Sequence, residues 1–284
     1  MIERIYVEIG NICNMNCSFC PGTRRSPRQM SAEEFEIVAK RLSGRAKYVY
    51  LHVMGEPLIH RELSKILVSI RENGLRACLT TNGTLIKQRS DELIDRADVL
   101  HKTSISLHSF EANDIPGGLS EYVKNISNYA KRASDAGIYT VLRLWNADSE
   151  DRLGKNQKNA EIEALLRKEF PEEWQARRQG FRLMRNVFLE YAEIFDWPSE
   201  SRKEPKIEGR CHGMIDQLAV LADGTVVPCC LDSEGEISLG NIFDSELDEI
   251  LKSPRAVKMK KGLESGYFTE ELCQKCSYAR RFAK

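Results

Sequence analysis

The sequence has no net charge: 42 Lys and Arg are balanced by 42 Asp and Glu over 284 residues. Without a positive field there is no long-range pull towards a phosphate backbone or an anionic bilayer surface, so neither nucleic acid nor membrane is expected as a partner. No apolar run approaches the ~20 residues that span a bilayer. The opening MIERIYVEIG has neither a basic leader with an apolar stretch nor a small-residue cleavage site, which points to the cytoplasm. No repeat of solenoid length and no low-complexity tract is found.

What stands out instead is cysteine. Nine are present, an odd number, grouped at 13/17/20, 211, 229/230 and 273/276, with Cys78 alone in an apolar strand and expected in the core. In a chain with no export signal, such clusters point to metal ligation or redox chemistry before a disulfide framework.

From residue 3 to about 193, β-branched or aromatic runs alternate with stretches of helical period. That rhythm predicts βα units and a parallel sheet. The expected strands are 4–9, 47–54, 75–80, 102–109, 138–145 and 185–192, with helices from Ser31 and near 60–73, 86–96, 118–136 and 157–169. Ser31 and Glu34 fit a capping box ahead of an apolar stripe at Phe35, Val38 and Leu42. Residues 194–210 are rich in charge and proline and read as a linker. Beyond them, Asp223-Gly224 between two strand-like runs favours a type I′ hairpin turn. The expected organisation is therefore 1–193, a linker at 194–210, and a small cysteine-bearing unit at 211–284.

Cys13, Cys17 and Cys20 follow the first strand directly, at the carboxyl end where βα folds place their sites. Three thiolates can hold three irons of a [4Fe–4S] cube and leave the fourth open to another ligand, whereas a structural site normally closes with four. A zinc site completed by a distant residue is the alternative. In the second group, Cys211, Cys229, Cys273 and Cys276 could close one site around an iron–sulfur cluster or around zinc. Neighbours on a strand face opposite ways, so Cys229 and Cys230 are not expected to share a cluster.

The C-x3-C-x2-C spacing with Phe19 before the last cysteine resembles the signature of the radical S-adenosylmethionine (radical SAM) superfamily. MGEPL at 54–58, TTNGT at 80–84 and SISLHS at 104–109 are similar to further motifs of that family, with Met54 where the family has a first glycine. The pattern C-x12-G-x4-C with a later C-x2-C resembles its twitch domain, the short form of the SPASM extension; there the glycine spacing selects Cys229 over Cys230.

The resemblance implies a partial (β/α)6 TIM-like barrel followed by a β-hairpin-plus-helix auxiliary domain that covers the lateral mouth. It implies S-adenosylmethionine and two [4Fe–4S] clusters, the first on Cys13, Cys17 and Cys20, the second on Cys211, Cys229, Cys273 and Cys276. By the same resemblance Phe19, Gly55, Glu56, Pro57, Thr81, Asn82 and Ser106 line the cofactor pocket. Relatives often carry an arginine after the fourth strand; none stands there, so Arg143 is the candidate for the cofactor carboxylate, or else a structural ion pair.

Alternation puts Ser104, Ser106 and His108 on one face, with His108 either meeting substrate or belonging to a satisfied polar network. His52, Glu190 and either Tyr6 or Glu8 are further lumen candidates. Cys230 stands where sulfatase-maturating relatives carry an aspartate; it could donate a hydrogen atom, as in radical epimerases, or be buried.

The implied activity is reductive cleavage of S-adenosylmethionine to a 5′-deoxyadenosyl radical, hydrogen abstraction and net oxidation of the substrate, with an external reductant of flavodoxin or ferredoxin type. The absence of a peptide-recognition domain ahead of the first strand, and a cysteine layout similar to that of radical aminocyclitol dehydrogenases, favour a polar small molecule over a peptide. Epimerisation comes third, and a non-catalytic metal-binding module last.

Overall fold

The structure is a computed structural model and describes residues 2–113, 115–146, 157–193, 196–198 and 205–282. Among these residues, strands β1 (Arg4–Val7), β2 (Tyr48–Tyr50), β3 (Arg76–Thr81), β4 (Leu100–Ser106) and β5 (Tyr139–Leu144) alternate with helices α1 (Ala32–Leu42), α2 (Leu63–Glu72), α3 (Ile86–Ile94) and α4 (Gly118–Asp135). Helix α5 (Asn159–Glu169) follows, then β6 (Gln175–Arg177), β7 (Gly180–Met184) and β8 (Val187–Tyr191). The C-terminal part supplies β9 (Gln217–Val220), β10 (Thr225–Val227), β11 (Gly240–Asn241), α6 (Leu247–Leu251), α7 (Pro254–Glu264) and α8 (Glu271–Gln274).

All described strands form one open sheet in the order β11-β10-β9-β1-β2-β3-β4-β5-β8-β7-β6. The six expected strands, β1 to β5 and β8, are mutually parallel neighbours. This is the α/β partial barrel, unclosed. Its helix-facing side chains, among them Ile5, Val49, Leu79, Ile105 and Leu142, pack against Phe35, Val38, Leu67 and Ile126 in a single core. The Ser31/Glu34 capping box is present, and Phe35, Val38 and Leu42 are buried by α1.

Several expectations are corrected. Strand β2 stops at Tyr50, and residues 107–109 wind into a 3-10 turn, because the chain must turn out of the sheet to bring its ends over the site. The hairpin β6–β7 was missed: β6 is only three exposed residues, and β7 only five residues long with Leu183 alone fully buried.

The Asp223-Gly224 turn is not type I′, which would need positive φ at both central residues. Only Gly224 is left-handed, at φ +85°, and its amide donates to Leu221 O at 2.9 Å, so the turn runs Leu221–Gly224.

Of the expected linker, residues 194, 195 and 199–204 lie outside the described residues, as do 283 and 284 of the last unit. Residues 205–210 are pinned rather than free: Phe268 N donates to Ile207 O at 2.7 Å and Gly209 N to Gly266 O at 2.9 Å. Nor does the C-terminal hairpin stand apart, since β9 pairs in parallel with β1 from Arg4↔Gln217 to Val7↔Val220.

Candidate active site

The cysteine loop sits between β1 and α1, held down by its neighbours. Glu56 N donates to Ile12 O at 2.9 Å, and Asn82 Nδ2 donates to Asn14 Oδ1 at 2.9 Å while lying 3.9 Å from Cys13 Sγ. Asn113 Nδ2 reaches Cys17 Sγ at 3.2 Å. The structure thus brings Cys13, Cys17, Cys20, Gly55, Glu56, Thr81 and Asn82 into one contiguous group from three strand ends. Amide donors to the sulfurs suit a cluster, whose potential depends on such bonds.

Glu56, expected in the cofactor pocket, is engaged by the protein itself. It is 4% exposed and accepts from Thr81 Oγ1 at 2.7 Å, Asn82 N at 2.7 Å and Leu58 N at 3.0 Å. A carboxylate offers about four acceptor positions, so three protein donors use most of them. Burial pushes its pKa up to about 7 against the pull of those donors. Glu56 therefore staples the ends of β2 and β3 together, with Pro57 opening the 3-10 turn that follows.

Inside the sheet's concave face lies a chamber of about 370 Å³. Its wall includes Phe19, Ser106, His108, Arg143, His52, Tyr6 and Cys230, which the sequence had nominated, and Trp145, Tyr50, His212 and Tyr278, which it had not. The signal for Trp145 was there: it follows Arg143 by two residues, on the same face. Nothing in the sequence marked the C-terminal pair His212 and Tyr278.

Two nominees fall elsewhere. Glu190 lines a separate cleft with Lys102 and Tyr139. Glu8 is fully buried, both its oxygens accepting from Arg25 Nη2 at 2.7 and 2.8 Å, while Arg25 Nε donates to Ser233 O at 2.7 Å; the alternative Tyr6 is the one that faces the chamber. Cys78 is 1% exposed, as expected of a buried thiol.

His108 stacks near Phe19, with centroids 4.9 Å apart, and its Nδ1 lies 3.1 Å from Arg143 O. Burial lowers its pKa to about 4, so the ring is neutral at pH 7. A histidine that resists protonation in the fold but not in the unfolded chain costs stability as pH falls through 6.5 towards 4. At roughly 1.4 kcal/mol per pKa unit the loss is about 3 kcal/mol, and His108→Gln should flatten that part of the acid limb in denaturant titrations between pH 7 and 4. An unchanged limb would contradict the assignment.

Cys211, Cys229, Cys273 and Cys276 line one small cavity with Pro228, Leu231 and Asp232, and Gly213 N donates to Cys211 Sγ at 3.3 Å. Cys230 points the other way, into the chamber, bonded to Tyr6, and burial pushes its thiol up to about 12. Burial likewise raises Cys211, Cys229 and Cys273, each made worse by the neighbouring thiols. A set of soft sulfur donors crowded round one cavity fits an iron–sulfur cluster. Among the described residues no three His, Cys, Asp or Glu side chains converge as the ligands of one ion do; the thiolates of a cube each meet a different iron.

Comparison with known proteins agrees with this geometry. Residues 7–151 match the family described as "Radical SAM superfamily", half of the chain. The protein is a member of the radical SAM superfamily. Residues 211–277 match SPASM, an iron–sulfur cluster-binding domain, and together the two matches imply S-adenosylmethionine and two [4Fe–4S] clusters as cofactors of this radical SAM enzyme.

Among its relatives, a "Probable GTP 3′,8-cyclase" of Pyrobaculum aerophilum is 26% identical over 160 residues, covering 52% of this chain and 51% of its own. The "Antilisterial bacteriocin subtilosin biosynthesis protein AlbA" of Bacillus subtilis is 23% identical over 96% of this chain and 64% of its own. The chain thus spans about half to two thirds of the length of these curated relatives. The radical SAM fold is also seen in the crystal structure of "BtrN in complex with AdoMet and 2-DOIA", with TM-score 0.61, 16% identity, and coverage of 98% of this chain and 93% of that one. Among the described residues no helix is long and apolar enough to cross a membrane.

Proposed function

We propose that the protein is a radical SAM oxidoreductase that removes hydrogen from an unactivated carbon of a polar small molecule, such as a cyclitol or aminosugar, and passes the remaining electron to the auxiliary cluster. When bound, the first cluster and S-adenosylmethionine supply the 5′-deoxyadenosyl radical; the protein supplies position and shelter from water. Cys13, Cys17 and Cys20 would hold the first cluster, with Phe19, Gly55, Glu56, Pro57, Thr81, Asn82 and Ser106 shaping the cofactor site. Cys211, Cys229, Cys273 and Cys276 would hold the second. His108, neutral and against the chamber, would accept the proton that an alcohol loses on becoming a ketone. Residues 1–193 would form the barrel unit and 211–284 the auxiliary one, with 194–210 between, and a flavodoxin- or ferredoxin-type protein would deliver the electron.

The observation that carries this reading is a shared wall. Gln217, Leu231 and Tyr278 line both the chamber and the four-cysteine cavity, and the peptide joining Cys229 to Cys230 separates them. An acceptor so near the substrate favours oxidation.

Two further readings have specific support. Peptide modification is favoured by the likeness to the subtilosin biosynthesis protein over 96% of the chain. Epimerisation is favoured by a protonated Cys230 thiol on the chamber wall. Replacement of Cys230 by alanine separates oxidation from epimerisation. Under oxidation the variant still yields product lighter by two hydrogens, with one 5′-deoxyadenosine per turnover. If product formation stops while S-adenosylmethionine is still cleaved, the thiol is the hydrogen donor and the oxidative reading is wrong.

A further inference from the structure

The lumen holds positive charge that nearby carboxylates do not pair. Among the described residues, neither Arg143 nor Lys102 forms an ion pair within 4.0 Å. Their contacts are aromatic: Arg143 Cζ lies 4.2 Å from the Trp145 ring centroid and Lys102 Nζ 5.3 Å from that of Tyr50. Arg143 Nε is buried without a hydrogen-bond partner, and so are His52 Nδ1 and Ser104 Oγ on the same concave face. Buried polar atoms nearly always have partners, and an unpaired buried cation is costly.

The acids in reach do not cancel this charge. Glu190 is the register partner of Arg143 in β8, yet stands beyond ion-pair distance. Asp216 is committed to Arg4 at 3.1 Å and His212 Nδ1 at 2.8 Å. Glu193 is the remaining carboxylate on the chamber wall. Burial lowers the proton affinity of both Arg143 and Lys102, as expected of cations short of counter-charge.

The sequence offered Arg143 to the carboxylate of the cofactor. Its surroundings favour the substrate instead. The charges and phenols that act on it are Glu190, Tyr6, Tyr50 and Tyr278, which lie on β8, β1, β2 and the C-terminal turn, not on the cysteine loop or beside Gly55 and Asn82. Stacking on Trp145 also holds the guanidinium fork in one orientation, which suits two-point capture of an oxyanion.

We propose that the substrate carries a carboxylate or phosphate group, received in the chamber by Arg143 braced on Trp145. This rests on the small-molecule reading above and narrows it, removing neutral cyclitols and aminosugars that bear no acid group. Arginine pairs bidentately with either oxyanion, so the wall alone defines the shared chemistry.

Binding, not turnover, tests it. Anaerobically reconstituted holoprotein with saturating S-adenosylmethionine and no reductant is titrated calorimetrically with inorganic phosphate, succinate and glucosamine. The expected result is that phosphate or succinate binds, identifying the acid group, while glucosamine does not. Arg143→Met should weaken the anion tenfold or more; should it fail to fold, Arg143→Lys, which keeps the charge but not the two-point fork, should weaken it several-fold and decides. Absence of anion binding, wild-type affinity in the variants, or anion binding that S-adenosylmethionine abolishes would each overturn the assignment, the last by returning Arg143 to the cofactor. Since no product is scored, a failure to oxidise small molecules bears only on the earlier reading.

Discussion

A variant with Cys13, Cys17 and Cys20 all replaced by alanine is expected to fold, to retain about four of about eight irons per chain, and to leave S-adenosylmethionine uncleaved. The two thiol groups belong to different parts of the chain: the first lies on the loop after β1, the second, from Cys211 to Cys276, round a cavity of its own. Losing the first should leave the second cluster intact. The loop itself does not depend on its thiols for position, because Glu56 N bonds to Ile12 O, Asn82 Nδ2 to Asn14 Oδ1 and Asn16 N to Asn113 Oδ1. Iron analysis and electron paramagnetic resonance of the reduced variant, beside a 5′-deoxyadenosine assay, check the result. Loss of all iron would mean that the sites are not independent; cofactor cleavage above background would remove the first triad from the chemistry.

Gly55→Ala should be nearly as damaging, for a backbone reason. Gly55 sits at φ +82°, and a Cβ there would lie 2.3 Å from Gly10 O and 2.9 Å from Ile12 O. Neither carbonyl belongs to a flexible side chain that could swing aside; both belong to the segment that leads into the cysteine loop. Left-handed strain alone costs about 1–3 kcal/mol, and relieving the clash must move the loop off the strand ends. The variant should lose several kcal/mol in denaturant unfolding, or fold with the first cluster's signal lost while the four-cysteine site still loads. A variant with wild-type stability and full cofactor cleavage would show that this close approach is dispensable.

The difference between these two sites and the chamber explains how far the sequence could be read. Local chemistry was legible: three cysteines in eight residues, a capping box at Ser31 and Glu34, and β-branched runs alternating with helical periods each report on neighbours along the chain. The strand ends were less so, since β2 is only three residues long and the last turn of SISLHS leaves the sheet. The short strands of the β6–β7 hairpin gave too little pattern to be read, and the partners of Glu8 and Glu56 could not be counted before the fold brought them together. Arg25 reaches Glu8 across 17 residues and Thr81 reaches Glu56 across 25.

The sequence by itself determined the parallel α/β architecture and where the cysteines cluster along the chain, because periodicity and spacing are properties of adjacent residues. Only the tertiary structure decided that β9 joins β1, that one wall serves both the chamber and the four-cysteine cavity, and that Arg143 faces the chamber without a carboxylate within ion-pair distance among the described residues. Those are relations between segments a hundred or more residues apart, set by how the sheet curves and what closes over it, and no local pattern encodes which distant charges will be left facing one another.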